Sequence, residues 1–236
     1  MKRAVLFDVD GTLLDSVDLH AECWRLAFQH FGKSIPQTDV RTQIGKGGDH
    51  LLPVFLNPEE QRAFGEELKQ YRADLWKRDF MRRVRPFPHV RDLFEALSKA
   101  GHKLALASSS HGDELEFYKQ LLNIGDLLEA QTSADDAKRS KPDPDIFHAA
   151  LARVEATPEQ SVAVGDSPYD AEAAGKAGVP TAGVLCGGFP EERLTGAGCF
   201  ALFRDPGDLL GHTEQWVNGP RDAASGSRVH DPSTIT

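Results

Sequence analysis

Two carboxylates, Asp8 and Asp10, stand two residues apart in the string Asp8-Val9-Asp10-Gly11-Thr12, immediately after the apolar run Ala4-Val5-Leu6-Phe7. A continuous apolar run closed by glycine reads as a buried strand of a parallel sheet. Residues just past the C-terminal end of such a strand line the ligand crevice of open α/β sheets. Taken alone, the string is equally an Asp-Gly turn with solvated acids. Other segments decide between the two. Ser108 follows the run Lys103–Ala107, Lys141 stands in the loop Lys141-Pro142-Asp143-Pro144, and Asp166 and Asp170 follow the run 161–164. Each of these types has a place in phosphoryl transfer. Acidic oxygen ligands suit Mg²⁺, which Asp8 and Asp166 can share, and a metal between them makes the acid cluster tolerable. Lys141 offsets the charge of a phosphate, and Ser108, with the N–H groups beyond it, can hydrogen-bond its oxygens.

The elements that must bring these residues together are legible as a βαβ alternation with one interruption. Val17, Ala21, Trp24, Ala27, Phe28 and Phe31 recur at helical spacing up to Gly32. Residues 38–83 then stay helical in pattern, with Phe64, Leu68, Tyr71 and Leu75 as the clearest stripe, which predicts a helical insertion after the first strand. Strands are expected at Lys103–Ala107, at 130–132 (weakly), at 161–164 and at 181–185, with amphipathic helices between them. The fold class is therefore α/β, a Rossmann-like parallel sheet with helices on it and an insertion of helices after its first strand. Beyond about residue 217 the chain turns to Asn, Gly, Ser, Asp and Pro, and a mobile tail is expected.

Composition narrows the partners. With 236 residues, 40% hydrophobic and 27% charged, the chain can bury a large α/β core, and no stretch approaches the ~18 apolar residues of a membrane helix. Met1-Lys2-Arg3 runs straight into a strand-length segment, unlike a signal peptide, so a cytoplasmic protein is expected. The net charge of −9 disfavours nucleic acid and anionic membrane, and requires a local cation for any anionic substrate. Cys23, Cys186 and Cys199 are widely spaced and suggest neither disulfides nor zinc. Gly45-Lys46-Gly47-Gly48 follows no strand and lacks a Gly-Lys-Ser/Thr ending, so it reads as a turn, not a phosphate loop.

Taken in order, Asp8-Val9-Asp10-Gly11-Thr12, Ser108, Lys141-Pro142 and Gly165-Asp166-Ser167-x-x-Asp170 resemble the four motifs of the haloacid dehalogenase superfamily of phosphohydrolases, over about residues 3–186. The insertion resembles the helical cap of the subgroup that contains phosphoglycolate phosphatase and β-phosphoglucomutase. The resemblance implies an α/β core over residues 1–15 and 84–211, a cap over 16–83 and a flexible tail over 212–236. It also implies Asp8 as the nucleophile that becomes an aspartyl-phosphate, and Asp10 as the acid and then the base. Mg²⁺ would be held by Asp8, Asp166 and the main-chain carbonyl of Asp10, with Asp170 behind them. Gly11, Thr12, Ser108, Ser109 and Lys141 would bind phosphate, with Lys46 and His20 as further candidates. The bland readings are that Asp170 caps the following helix, that Lys46 is a solvated surface residue, and that His20 lies on a polar helix face.

The implied substrate is a small phosphorylated metabolite. An acid at position 10 speaks against a dehalogenase, and Gly165-Asp166 where sugar phosphomutases pair two acids favours hydrolysis. His20 and Trp24 resemble the mutase pattern, whereas Asp49 stands about where a mutase has a basic residue. A phosphomutase is thus the enzymatic alternative, and a phospho-accepting signalling domain, which also combines acids with a lysine, is the alternative of another class.

Overall fold

The computed structural model describes residues 3–220. Six parallel strands form one sheet: β1 (Ala4–Phe7), β4 (Lys103–Ala107), β5 (Ala130–Thr132), β6 (Ser161–Gly165), β7 (Thr181–Val184) and β8 (Cys199–Phe203), in the order β5-β4-β1-β6-β7-β8. β2 (Leu14–Asp15) and β3 (Arg85–Pro86) pair antiparallel outside it. The strand order reverses at β1, which runs on to β4 and β5 on one side while β6, β7 and β8 lie on the other. Such a switch point leaves a crevice at the C-terminal strand ends. The register makes that edge level, since Phe7 lies opposite both Leu106 of β4 and Val164 of β6. Asp8, Ser108 and Asp166 therefore leave the sheet side by side.

Alternation sorts each strand between two faces. Val5, Phe7, Leu104, Leu106, Val162 and Val164 pack against Leu93, Phe94 and Leu97 of α5 (Val90–Lys99) and Leu115 and Tyr118 of α6 (Gly112–Leu122). The opposite face carries Ala4, Leu6, Ala105, Ala107 and Ala163. Its small side chains bring α7 (Asp145–Val154) and α8 (Pro168–Lys176) close to the sheet. The edge strand β8 has no counterpart in the sequence reading. It is short, follows a glycine, and buries only its two end residues, so its pattern does not stand out.

The chain leaves the sheet through β2 and returns through β3, and between them lie the helices α1 (Val17–His30), α2 (Gln37–Arg41), α3 (Gly48–Phe55) and α4 (Pro58–Leu75). They share a core of Val17, Ala21, Trp24, Ala27, Phe28, Leu51, Leu52 and Leu68. An Asn57–Glu60 capping box starts α4, with Pro58 at its first turn. A π-helical turn, Trp76–Phe80, ends it and turns Trp76 into the interior.

The stretch from 212, expected as the start of a flexible tail, instead carries the helical turn α10 (Thr213–Trp216), which follows α9 (Pro206–Gly211). Trp216 is fully buried, and its Nε1 donates to the Leu209 carbonyl at 3.0 Å. A single indole anchors a segment whose polar composition gave no such signal. The remainder of the expected tail, residues 221–236, lies outside the described residues. No helix among the described residues is long and apolar enough to cross a membrane.

Candidate active site

The floor of the site is built by the loop after β1. Gly11 takes a left-handed backbone (φ +85°), and a Cβ there would lie 2.3 Å from Asp166 Oδ2, so only glycine brings this loop against Asp166. Gly187, from the loop after β7, closes on the same carboxylate, with its missing Cβ 1.8 Å from that oxygen. Thr12 Oγ1 lies 2.9 Å from Asp8 Oδ2 and 3.2 Å from Asp166 Oδ1, so a single hydroxyl proton serves two carboxylates.

Lys141 is fully buried, and its ammonium donates to Asp8 Oδ1 at 2.5 Å and the Ala107 carbonyl at 2.8 Å, with Asp170 Oδ1 at 2.7 Å. Burial alone would lower its pKa, but the carboxylates of Asp170 and Asp8 raise it above the usual lysine range. Asp170 does two jobs at once. Its Oδ2 accepts from Ser167 N and Oγ in the capping box that starts α8, while its Oδ1 faces Lys141. The capping and site readings of this residue are therefore not exclusive.

Oxygens of Asp8, Asp166 and Asp170 all lie within 4.8 Å of one another. Three carboxylates around one ammonium leave negative charge without compensation. Burial and the neighbouring Asp170 push Asp8 up to about 7 against the pull of Lys141. Burial, Asp170 and Asp8 likewise hold Asp166 well above the ordinary carboxylate range. This set of hard oxygen donors, short of positive charge, fits a divalent cation of the Mg²⁺ type.

Asp10 behaves in the opposite way. Burial would raise its pKa, but His20, Ser16 and Ser110 hold it below the ordinary range. Ser16 Oγ donates to Oδ1 at 2.7 Å, Ser110 Oγ to Oδ2 at 2.9 Å, and His20 Nε2 sits 2.9 Å from Oδ1. The other ring nitrogen of His20 lies 2.6 Å from an Arg72 guanidinium nitrogen. A guanidinium can only donate, so Nδ1 is the acceptor and Nε2 carries the proton aimed at Asp10. His20 stacks on Trp76 at 3.7 Å, and Arg72 lies against both Trp24 and Trp76 at 5.3 and 5.2 Å.

The expectation that His20 occupies a polar helix face is thus corrected, as it is 5% exposed. Its spacing from Val17 and Trp24, three before and four after, places it on the buried stripe of α1, and that signal was available in the sequence. Ser16 and Ser110, which donate to Asp10, and Arg72, which donates to His20, were not among the expected site residues because these contacts join separate elements.

Ser108 is buried, with Oγ accepting from Ser110 N at 3.1 Å, whereas Ser109 Oγ is buried with no hydrogen-bond partner among the described residues. Lys46 does not join the acid cluster. Its Nζ donates to Gln43 Oε1 at 2.7 Å and lies over the Tyr169 ring. A cavity of about 140 Å³ covers Asp8 and Asp10, with Ser109, Ser110 and Glu114 on the sheet side and His20, Trp24, Lys46, Lys69 and Arg72 on the insertion side. The insertion is closed over it. Asp49 accepts from Ser140 N (3.1 Å) and Oγ, His50 meets Asp143 at 3.0 Å, Arg41 donates to the Gly187 carbonyl at 2.9 Å, and Tyr169 donates to that of Thr42 at 2.6 Å.

A family model described as haloacid dehalogenase-like hydrolase matches residues 5–184. The chain is 30% identical over 209 residues to the "Phosphorylated carbohydrates phosphatase" of Thermotoga maritima, covering 88% of this chain and 96% of that protein. It is 31% identical over 183 residues to pyrophosphatase PpaX of Bacillus velezensis, covering 77% and 82%. Among solved structures, a hydrolase from Pseudomonas syringae matches with a TM-score of 0.84 at 27% identity, covering 92% of this chain and all of that one.

Proposed function

Because the chain belongs to the haloacid dehalogenase-like hydrolase family, we propose that it is a Mg²⁺-dependent phosphatase that hydrolyses a small phosphomonoester through an aspartyl-phosphate on Asp8. A cytoplasmic setting is part of this reading, and three free cysteines suit a reducing compartment. The observation that carries it is the meeting of Asp8, Lys141, Asp166 and Asp170, from three separated loops, in one buried cluster. Three buried carboxylates around one ammonium are a burden on the fold, so their gathering calls for a ligand that completes them.

Asp8 and Asp166, with the main-chain carbonyl of Asp10, would hold Mg²⁺, which when bound supplies neutralising charge to the phosphoryl oxygens. Asp8 attacks phosphorus in line, and Lys141, held in place by Asp170, favours the ionised form of Asp8 and shares its charge with the transferring group. Ser108 Oγ, Ser109 with its N–H group and Lys141 would form the phosphate cradle, whereas the N–H groups of Ser108, Gly11 and Thr12 are already bonded to the carbonyls of Thr132, Leu14 and Val9. Asp10 protonates the leaving oxygen and later takes a proton from the attacking water. Three donors on its carboxylate favour the base form of the closed arrangement. His20 and Arg72 belong to the helical cap, so cap opening would withdraw one donor and let Asp10 gain a proton.

Hydrolysis of p-nitrophenyl phosphate tests the reading. Activity should require Mg²⁺, vanish in EDTA and fall at least 1000-fold in Asp8→Asn; full activity of that variant would refute the nucleophile assignment. The His20–Asp10 contact favours a second reading, phosphoryl transfer between sugar oxygens, which predicts isomerised sugar phosphate in excess of free phosphate. Against it, Asp49 is engaged with Ser140 and offers no cation to a second phosphate.

A further inference from the structure

Among the described residues, six buried side-chain polar atoms lack a hydrogen-bond partner, and three of them belong to residues that line the one cavity over Asp8 and Asp10: Ser109 Oγ, Arg72 Nε and Glu114 Oε1. Glu114 is the most telling. It lies in the first turn of α6, is 2% exposed, and burial raises its pKa. Leaving a carboxylate oxygen buried and unpaired is strongly destabilising, so a fold that keeps one in a cavity wall keeps it for a group that arrives later.

The three atoms define what that group is. Glu114 Oε1 can accept, Arg72 Nε can only donate, and Ser109 Oγ can do either. A hydroxyl both donates and accepts, and so suits a wall in which the Glu114 carboxylate stands near the Arg72 guanidinium, the leading charge acting on it. A carboxylate or second phosphate on the leaving group could accept from Arg72 but would meet the Glu114 carboxylate. The cations nearby have other contacts: an Arg72 terminal nitrogen donates to His20 with the guanidinium against two tryptophans, Lys46 donates to the Gln43 amide oxygen, and Lys69 pairs with Glu66 at 2.6 Å. Trp24 adds an apolar wall suited to the C–H face of a carbon chain or ring.

We propose that Glu114 is the specificity-determining residue of this site, its carboxylate accepting a hydrogen bond from a free hydroxyl of a polyol or sugar leaving group in the cavity that it lines with Arg72 and Trp24. The inference rests on the phosphatase reading and deepens it, selecting polyhydroxylated phosphomonoesters over phosphoglycolate and inorganic pyrophosphate.

Steady-state kcat/KM values for glucose 6-phosphate, fructose 1-phosphate, glycerol 3-phosphate, phosphoglycolate, pyrophosphate and p-nitrophenyl phosphate test it in the wild type, Glu114→Ala and Glu114→Gln. In the wild type, at least one polyol phosphate should exceed phosphoglycolate and pyrophosphate by tenfold or more. A hydrogen bond to a charged group is worth about 10- to 100-fold, so Glu114→Ala should lower the ratio of polyol phosphate to p-nitrophenyl phosphate by that factor. Glu114→Gln, which keeps an acceptor oxygen, should lose less, and guards against a folding defect in the alanine variant. Glu114→Ala should unfold at higher urea than the wild type when no substrate is present, because a buried carboxylate oxygen without a partner is gone. An unchanged ratio, or a wild-type preference for phosphoglycolate or pyrophosphate, overturns the assignment and means that only water meets Glu114. A wild type without Mg²⁺-dependent p-nitrophenyl phosphate hydrolysis overturns the phosphatase reading and this one with it, whereas normal hydrolysis with an unchanged ratio overturns this one alone.

Discussion

Asp8→Asn should make the metal-free protein more stable at pH 8, although it removes the proposed nucleophile. Asp8 sits at about 7 in the fold against an ordinary value of 3.8, because burial and Asp170 outweigh Lys141. The folded state thus holds this proton more tightly than the unfolded chain does. Stability is unaffected below about pH 4, falls as pH rises from about 4 to about 7, and stays low above that. At 1.36 kcal/mol per pH unit, ionised Asp8 costs the fold on the order of 4 kcal/mol at pH 8. Asparagine has nearly the same shape and no charge. It also relieves Asp166, whose pKa is raised in part by Asp8, while Lys141 keeps Asp170 as its partner. The expected gain is about 2–4 kcal/mol at pH 8 in EDTA, shrinking towards zero near pH 4. With an m-value of about 2–3 kcal/mol per molar urea, this moves the midpoint up by roughly 1 M. Added Mg²⁺ should narrow or close the gap, since a cation at 100 times its Kd stabilises the wild type by about 2.7 kcal/mol and the variant has lost a ligand. Urea titrations at pH 4.5, 6 and 8, with EDTA and with Mg²⁺, read all of this. A variant that is less stable than the wild type in EDTA at pH 8, or a difference that does not change with pH, would refute the argument that the cluster is short of positive charge.

His20→Ala removes a donor from Asp10, so the Asp10 pKa should rise; because Asp10 acts as the acid in the step that kcat/KM reports, the alkaline limb of that profile for p-nitrophenyl phosphate should move to higher pH, and an unmoved limb would mean that His20 does not bear on Asp10 ionisation. Gly11→Ala forces a side chain into the left-handed region and onto Asp166, with an expected loss of at least about 2 kcal/mol by urea denaturation and of most phosphatase activity. Trp216→Ala should cost about 3–5 kcal/mol, as for other fully buried large aromatics, leaving KM for p-nitrophenyl phosphate nearly unchanged if the protein is assayed below its melting temperature.

Much of the site was legible because its chemistry lies at strand ends. Apolar runs such as Ala4–Phe7 and Ser161–Gly165 announce themselves, the residue after each is known once the strand is, and parallel pairing brings those residues level. The first helix of the insertion was legible for a similar reason, its stripe from Val17 to Phe28 marking one buried face. Strand β8 and the anchoring of Trp216 were not. Each depends on a neighbour, an edge or a groove, that leaves no periodic trace in its own segment.

The sequence by itself determined the sheet, the helical insertion and the acids, lysine and serines at the crevice, because hydrophobic period and strand-end position are local properties. The tertiary structure alone decided which groups act on one another. It gave Lys141 to both Asp8 and Asp170, placed Arg72 of α4 behind His20 of α1 and both behind Asp10, and left Glu114 of α6 buried without a partner in the cavity wall. Contacts between elements distant in the chain depend on how the helical layer docks on the sheet. A pKa, a tautomer or an unpaired acceptor is a property of that meeting and not of any one residue.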